Sequence, residues 1–178
     1  MRRIVFLLPI LIVAVLVAAF WRGLDPNRDP SALPSALVGK AAPAVDLPGL
    51  ADGAPRLDLA AFKGKLVAVN FFASWCLPCR AEHPFLKQLS AEFGVPVIGI
   101  AWKDKPEASR AFLAELGDPY AATGTDEKGR TGIDFGITGV PETFLVDGNG
   151  IVRYRLAGPV TPEGLKDALA PAIVEARR

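Results

Sequence analysis

The sequence predicts an α/β domain with a mixed central sheet and helices on both faces, preceded by one N-terminal transmembrane helix. Three observations predict it. Eighteen consecutive uncharged, almost wholly apolar residues, Ile4 to Trp21, lie close to the N-terminus. Further on, two apolar runs of strand length alternate with two stretches of helical periodicity. Beyond these, Asp147-Gly148-Asn149-Gly150 separates two more strand-like runs, as a hairpin turn does.

The apolar run comes first. At about 1.5 Å per residue it gives a helix of ~27 Å, close to the hydrocarbon thickness of a bilayer. Arg2, Arg3 and the free amine outweigh Arg22, so the amino end is expected to stay in the cytoplasm while the rest crosses. Phe20 and Trp21 suit the far interface, and Pro9 is tolerable within a membrane helix. A cleaved signal peptide is the alternative, with Val17-Ala18-Ala19 as a passable cleavage site, but the run exceeds the roughly 7–15 residues of such a core. Either way the main domain is exported. Residues 1–22 therefore read as an anchor with a short cytoplasmic end. Residues 23–38, with Pro26, Pro30 and Pro34, read as an extended tether reaching at most ~50 Å. Residues 39–178 form the domain.

Within the domain, Val45-Asp46-Leu47 and Leu57-Asp58-Leu59 alternate apolar and acidic residues around Asp52-Gly53, as a half-buried hairpin would. Leu66 to Ala73 is apolar enough for a strand buried on both faces. From Leu77 to about Phe93, the residues Phe85, Leu86, Leu89 and Phe93 recur at helical spacing. Val95 to Ala101 is a second buried strand. Pro106 to Leu116 reads as a helix with Pro in its first turn and Ala108, Phe112 and Leu116 on one side. Thr143–Val146 and Ile151–Leu156 form the hairpin, and Thr161 to Glu175 closes the chain as a helix. A right-handed crossover makes the first two long strands parallel, and the hairpin adds antiparallel ones.

Twenty basic and 19 acidic residues leave a net charge of +1, with no basic stripe of the kind nucleic acid needs. The only two cysteines, Cys76 and Cys79, close too short a loop to stabilise the fold much, so the pair calls for a chemical explanation. They sit where a buried strand ends and a helix begins. Residues three apart there meet the Cα separation of a disulfide. The helix N-terminus favours a thiolate at Cys76, and Pro78 is acceptable in a first turn. Cys76 is expected to attack a substrate disulfide and Cys79 to resolve the mixed disulfide, with Arg80 and the helix dipole stabilising the Cys76 charge. No metal or organic cofactor is required. A zinc site lacks ligands beyond Cys76, Cys79, His83 and Glu82, and haem attachment needs a His where Arg80 stands. An inert structural disulfide remains as the bland alternative. A CxxC pair in strand–helix context reads as thioredoxin-like.

The run Asn70-Phe71-Phe72-Ala73-Ser74-Trp75-Cys76-Leu77-Pro78-Cys79-Arg80-Ala81-Glu82-His83-Pro84 resembles the DsbE/CcmG family of cytochrome c biogenesis. So do Trp102-Lys103-Asp104, Gly117-Asp118-Pro119-Tyr120 and Gly139-Val140-Pro141-Glu142-Thr143-Phe144. The resemblance runs from about Gly39 to the C-terminus and implies a thioredoxin-like fold. It also implies a periplasmic reductant of the haem-binding CxxCH cysteines of apocytochrome c, held at a bacterial inner membrane. A transmembrane thiol reductant of the DsbD/CcdA type would supply electrons. Pro141 matches the cis-proline whose loop, with Val140 and Trp75, would hold the substrate chain. Glu82 and Glu142 match acidic positions near the cysteines, Glu82 as a base or tuner for Cys79 and Glu142 as a tuner. Thioredoxins carry an Asp where Asn70 stands, and an amide cannot exchange a proton. His83 is expected to make a hydrogen bond on the helix surface, and Pro84 to kink the helix. The Leu77-Pro78 dipeptide leaves room for a TlpA- or ResA-like reductase serving copper-site assembly, or a module that binds apocytochrome without turnover. Nothing points to an oligomer, so a monomer is expected.

Overall fold

A computed structural model describes residues 2–23 and 35–177. The chain divides into two compact units, Met1–Leu33 and Pro34–Arg178. In the first, helix α1 runs Arg2–Gly23 with Pro9 inside it. The large apolar side chains described along it, from Leu11 to Trp21, are exposed. Counted over the described residues alone, no helix is long and apolar enough to cross a membrane. Most of the expected tether, residues 24–34, lies outside the described residues. Its last part belongs to the second unit: Leu37 follows Ser35 in a turn and packs against the core, and the Gly39 N–H donates to Val152 O.

The second unit is built on a five-stranded sheet in the order β5-β4-β3-β6-β7. Strand β3 (Val67–Phe72) lies at its centre, parallel to β4 (Val97–Trp102) and antiparallel to β6 (Glu142–Val146). Strand β5 (Ala122–Asp126) extends the parallel side, and β7 (Val152–Ala157) the antiparallel side. A separate two-stranded ribbon, β1 (Asp46–Leu47) and β2 (Leu57–Asp58), pairs Asp46 with Asp58 and Leu47 with Leu57, which is the hairpin the acidic alternation predicts. Asp147 forms the 147–150 turn, accepting from the Asn149 and Ile151 N–H groups at 2.9 Å each.

All six residues of β3 are buried, and their alternation divides the core. Val67, Val69 and Phe71 point to one face with Ile98, Ile100, Phe135 and Phe144. Ala68 points to the other, with Leu86, Leu89, Val97 and Leu145, and Phe72 joins Phe112 and Leu113. That second face carries helix α2 (Leu77–Phe93), helix α3 (Pro106–Leu116) and the C-terminal helix. The first face is covered differently from the expected helical layer. The ribbon, the turn at Leu59–Phe62 and the short helix α4 (Arg130–Asp134) close it.

Three elements depart from expectation. Strand β5 and helix α4 occupy a stretch that carries no period, because an edge strand of Ala122-Thr123-Gly124-Thr125-Asp126 has no apolar alternation. Gly124 is required where it stands, since a Cβ there would come within 2.9 Å of the Cβ atoms of Leu47 and Leu57. The last helix widens to a π-helix over Gly164–Leu169 before α5 (Ala170–Ala176). Pro171 has no N–H to give and would crowd the carbonyl four residues back, and the wider turn, in which the Ala170 N–H donates to Leu165 O, makes room for it.

Candidate active site

Helix α2 begins at the C-terminal end of the central strand, and the cysteines lie at that junction. Cys76 is the N-cap, with extended backbone (φ −89°, ψ 105°), and its Sγ accepts the Cys79 N–H at 3.1 Å. The two are disulfide-bonded with Cα atoms 5.3 Å apart. Both are nearly buried in the oxidised state, Cys76 at 4% exposure and Cys79 at 2%. Their neighbours are not buried: Trp75 is 60% exposed and Leu77 77%. The Val140–Pro141 bond is cis, and Val140 packs against the cluster containing both cysteines. The structure thus brings Trp75, Cys76, Cys79, Val140 and Pro141 to one end of the sheet.

Two segments brace this loop. Asp104, at the end of β4, accepts from the Ser74 N–H at 2.7 Å and the Ser74 hydroxyl at 3.0 Å. The same carboxylate takes the Lys105 N–H and the Ser109 hydroxyl, tying the start of α3 to the residues before Cys76. The Trp75 indole N–H donates to Lys103 O at 3.3 Å. The segment Trp102-Lys103-Asp104 therefore holds the active-site loop. Arg80, expected to steady the Cys76 charge, pairs with Glu115 and lies over the Phe112 ring.

The two glutamates sit in different surroundings. Glu82 is fully buried one turn after Cys79 and is not an exposed helix carboxylate. Its Oε1 accepts from Asn70 Nδ2 at 3.0 Å, its Oε2 from the Val160 N–H at 2.8 Å, and it takes part in none of the ion pairs among the described residues. Burial pushes its pKa up to about 7, against the pull of those two bonds. Glu142 is also buried, but Oε2 pairs with Arg155 at 2.7 Å and Oε1 accepts from the Thr138 N–H and hydroxyl at 2.7 and 2.9 Å. It braces the loop that leads into cis-Pro141.

His83 corrects the expectation of a surface hydrogen bond. It is 2% exposed, its Nε2 bonds the Gly117 carbonyl, and its ring meets Phe112 and Tyr120 edge-on. Burial holds its pKa below the ordinary histidine value. Sequence reasoning missed Tyr120, Thr143 and Val160 as members of the site, and it saw Asn70 only as a missing acid. A signal was present for Tyr120. Gly99 lies inside β4, where an interior glycine marks a close approach, and a Cβ there would come within 2.8 Å of the Tyr120 ring.

A cysteine pair at the N-terminus of a helix that follows the central strand, beside a cis-proline, can pass two electrons between a dithiol and a disulfide without any other group. Fold and site together define a thioredoxin-like thiol–disulfide oxidoreductase. Residues 37–170 match the family model described as Redoxin. The chain is 44% identical over 173 residues to the thiol:disulfide interchange protein HelX of Rhodobacter capsulatus, covering 97% of each. It is 44% identical to DsbE of Pseudomonas aeruginosa, covering 96% of this chain and 93% of the relative. Among solved structures, a thiol:disulfide interchange protein DsbE from Chlorobium tepidum superposes with a TM-score of 0.69 at 32% identity, covering 78% of this chain and 96% of the other. The chain belongs to the redoxin family, as a thiol:disulfide interchange protein of the DsbE/CcmG/CycY type.

Proposed function

We propose that this chain is a membrane-tethered reductase of the haem-binding cysteines of apocytochrome c, working on the periplasmic side of a bacterial inner membrane. The observation that carries the chemistry is the Cys76–Cys79 pair packed beside Val140 and cis-Pro141. The choice of substrate is supported by the resemblance of residues 70–84 and 139–144 to the cytochrome c biogenesis family. The exposed apolar face of α1 supports the anchor.

In the reduced protein, the Cys76 thiolate attacks a disulfide of the substrate, forming a mixed disulfide and releasing one substrate sulfur as a thiolate. Cys79 then loses its proton and attacks Cys76 Sγ. The second substrate sulfur leaves, and the chain is left with the Cys76–Cys79 disulfide. The substrate has gained two electrons, which a transmembrane thiol reductant of the DsbD/CcdA type restores to the chain. Trp75, Val140 and Pro141 hold the substrate chain across the cysteines. Glu82, one turn from Cys79 and poised near neutrality, takes up or tunes the Cys79 proton.

The test is haem attachment to cytochrome c in a deletion strain carrying the wild-type gene or Cys76→Ser, with and without an added small thiol. Restoration by wild type alone, with rescue of the variant by the thiol, is the expected result. Intact holocytochrome in the deletion strain would overturn the substrate and turn attention to copper-site maturation. A Cys79→Ser variant that still matures cytochrome would favour a binding module over an enzyme.

A further inference from the structure

A chain of buried polar groups runs from Glu82 away from the cysteines. Asn70 occupies a β3 position on the α2 side of the sheet, and its Nδ2 donates to both Glu82 Oε1 at 3.0 Å and Thr143 Oγ1 at 3.1 Å. Its Oδ1 accepts the Tyr120 hydroxyl proton at 2.7 Å. An amide has two ends of opposite character, and only one of its two orientations serves this network. With the Tyr120 hydroxyl donating to Oδ1, the NH₂ end faces Glu82. Turned over, the amide would set a carbonyl oxygen against the carboxylate.

We propose that Tyr120 is a positioning residue whose hydroxyl fixes the orientation of the Asn70 amide and so maintains the hydrogen bond that favours ionised Glu82. The proposal rests on the reading of Glu82 as the group that handles the Cys79 proton. It names the residue that tunes that group from the far side of the sheet face.

The surroundings are built for this task. The Tyr120 ring lies flat on β4 because Gly99 has no side chain, and it stacks on Phe72 at 5.0 Å between centroids. Burial holds the Tyr120 pKa well above its ordinary value, with the charges of Glu82 and Asp118 adding to it, so the hydroxyl remains a donor throughout the working range. The polar groups around Glu82 among the described residues come from several elements. Asn70 and Thr143 come from β3 and β6, and the Val160 N–H comes from the segment after β7. Tyr120 comes from the segment before β5, and Cys79 and His83 from its own helix. None is a permanent cation, so the two hydrogen bonds carry the stabilisation of the carboxylate. The Asn70 bond is the one that a side chain can redirect.

The experiment is a carbon-13 NMR titration of the Glu82 carboxyl in the oxidised, substrate-free protein. Tyr120→Phe leaves Oδ1 without its donor and frees the amide to turn. The Glu82 inflection is then expected to rise by about one pH unit, the size of losing one hydrogen bond to a charged group. Asn70→Ala is expected to raise it as much or more. In the Asn70→Ala background, Tyr120→Phe is expected to add nothing, because Tyr120 acts through Asn70. An unchanged inflection in Tyr120→Phe, or full additivity in the double variant, overturns the proposal. Should Tyr120→Phe fail to fold, the wild-type protein decides. The Asn70 side-chain nitrogen and the Tyr120 hydroxyl-bearing carbon must titrate with the Glu82 inflection, and independent behaviour overturns the proposal equally. No turnover enters these measurements, so failure of the reductase reading, seen as haem attachment that does not depend on this chain, leaves their outcome intact and distinguishable.

Discussion

The underside of α2 and the start of β6, just after cis-Pro141, each hold a buried glutamate, and the two are treated in opposite ways. Glu142 has a cation, Arg155, and hydroxyl and amide donors from Thr138, so its charge is met on every side. Glu82 has only an amide from Asn70 and a backbone N–H from Val160. A carboxylate so placed is undercompensated, which is why burial lifts its pKa to about 7. One region uses a charge to hold a loop still; the other leaves a buried carboxyl that titrates near neutrality one turn from Cys79. The same residue type is thus met by a charge in one place and by neutral donors alone in the other, and the difference is the cation.

The largest effect that could break this comparison is expected at Arg155. Its side chain is 10% exposed and that of Glu142 2%, so Arg155→Ala strands a buried carboxylate and should cost about 3 kcal/mol in denaturant unfolding. A loss below roughly 0.5 kcal/mol, the size of a surface change, would show that Glu142 is held by its Thr138 bonds alone. Glu82→Gln should act through pH instead. Because the folded-state pKa of Glu82 lies above the unfolded value of 4.5, the native state binds more protons between the two, and stability falls as pH rises from 4.5 through 7. That decline, at most about 3 kcal/mol, should be missing in Glu82→Gln when unfolding is followed from pH 5 to 8. An identical slope in the variant would place the titration elsewhere.

Asp104→Ala comes next. It removes the acceptor for Ser74 and Ser109 and should cost about 2 kcal/mol while slowing disulfide exchange, because the residues before Cys76 lose their tie to α3. Unaltered exchange at reduced stability would make Asp104 only a tie to the start of α3. The smallest effect is expected from Leu77→Ala. Leu77 is 77% exposed and supports nothing inside, so thermal unfolding should be unchanged within about 0.5 kcal/mol, and any effect should fall on KM for a protein disulfide.

Much of this was legible in the sequence. The strand–CxxC–helix junction follows from the apolar run 66–73 and the helical spacing after it, and the hairpin follows from Asp147 and its glycines. The burial of Glu82 and His83 was not read, although Cys79, Glu82, His83, Leu86 and Leu89 form one buried stripe at helical spacing. A carboxylate and an imidazole on such a stripe run against the usual burial of those residue types, and the apolar pattern Phe85, Leu86, Leu89, Phe93 drew the face slightly off. Strand β5 was not legible because an edge strand held by backbone pairing to β4 needs no apolar alternation of its own. Tyr120 and Val160 reach the site from loops 50 and 78 residues distant from their partners Asn70 and Glu82, a separation no local pattern encodes.

The most direct measurement is the single-turnover release of substrate thiol from the Cys76 mixed disulfide as a function of pH, in wild type and Glu82→Gln. Wild type should show an inflection near pH 7, and the variant should lose it and run at least about tenfold slower at that pH, the lower end of what a positioned base supplies. Superimposable profiles would contradict the account, leaving Glu82 a buried carboxyl with no part in the exchange.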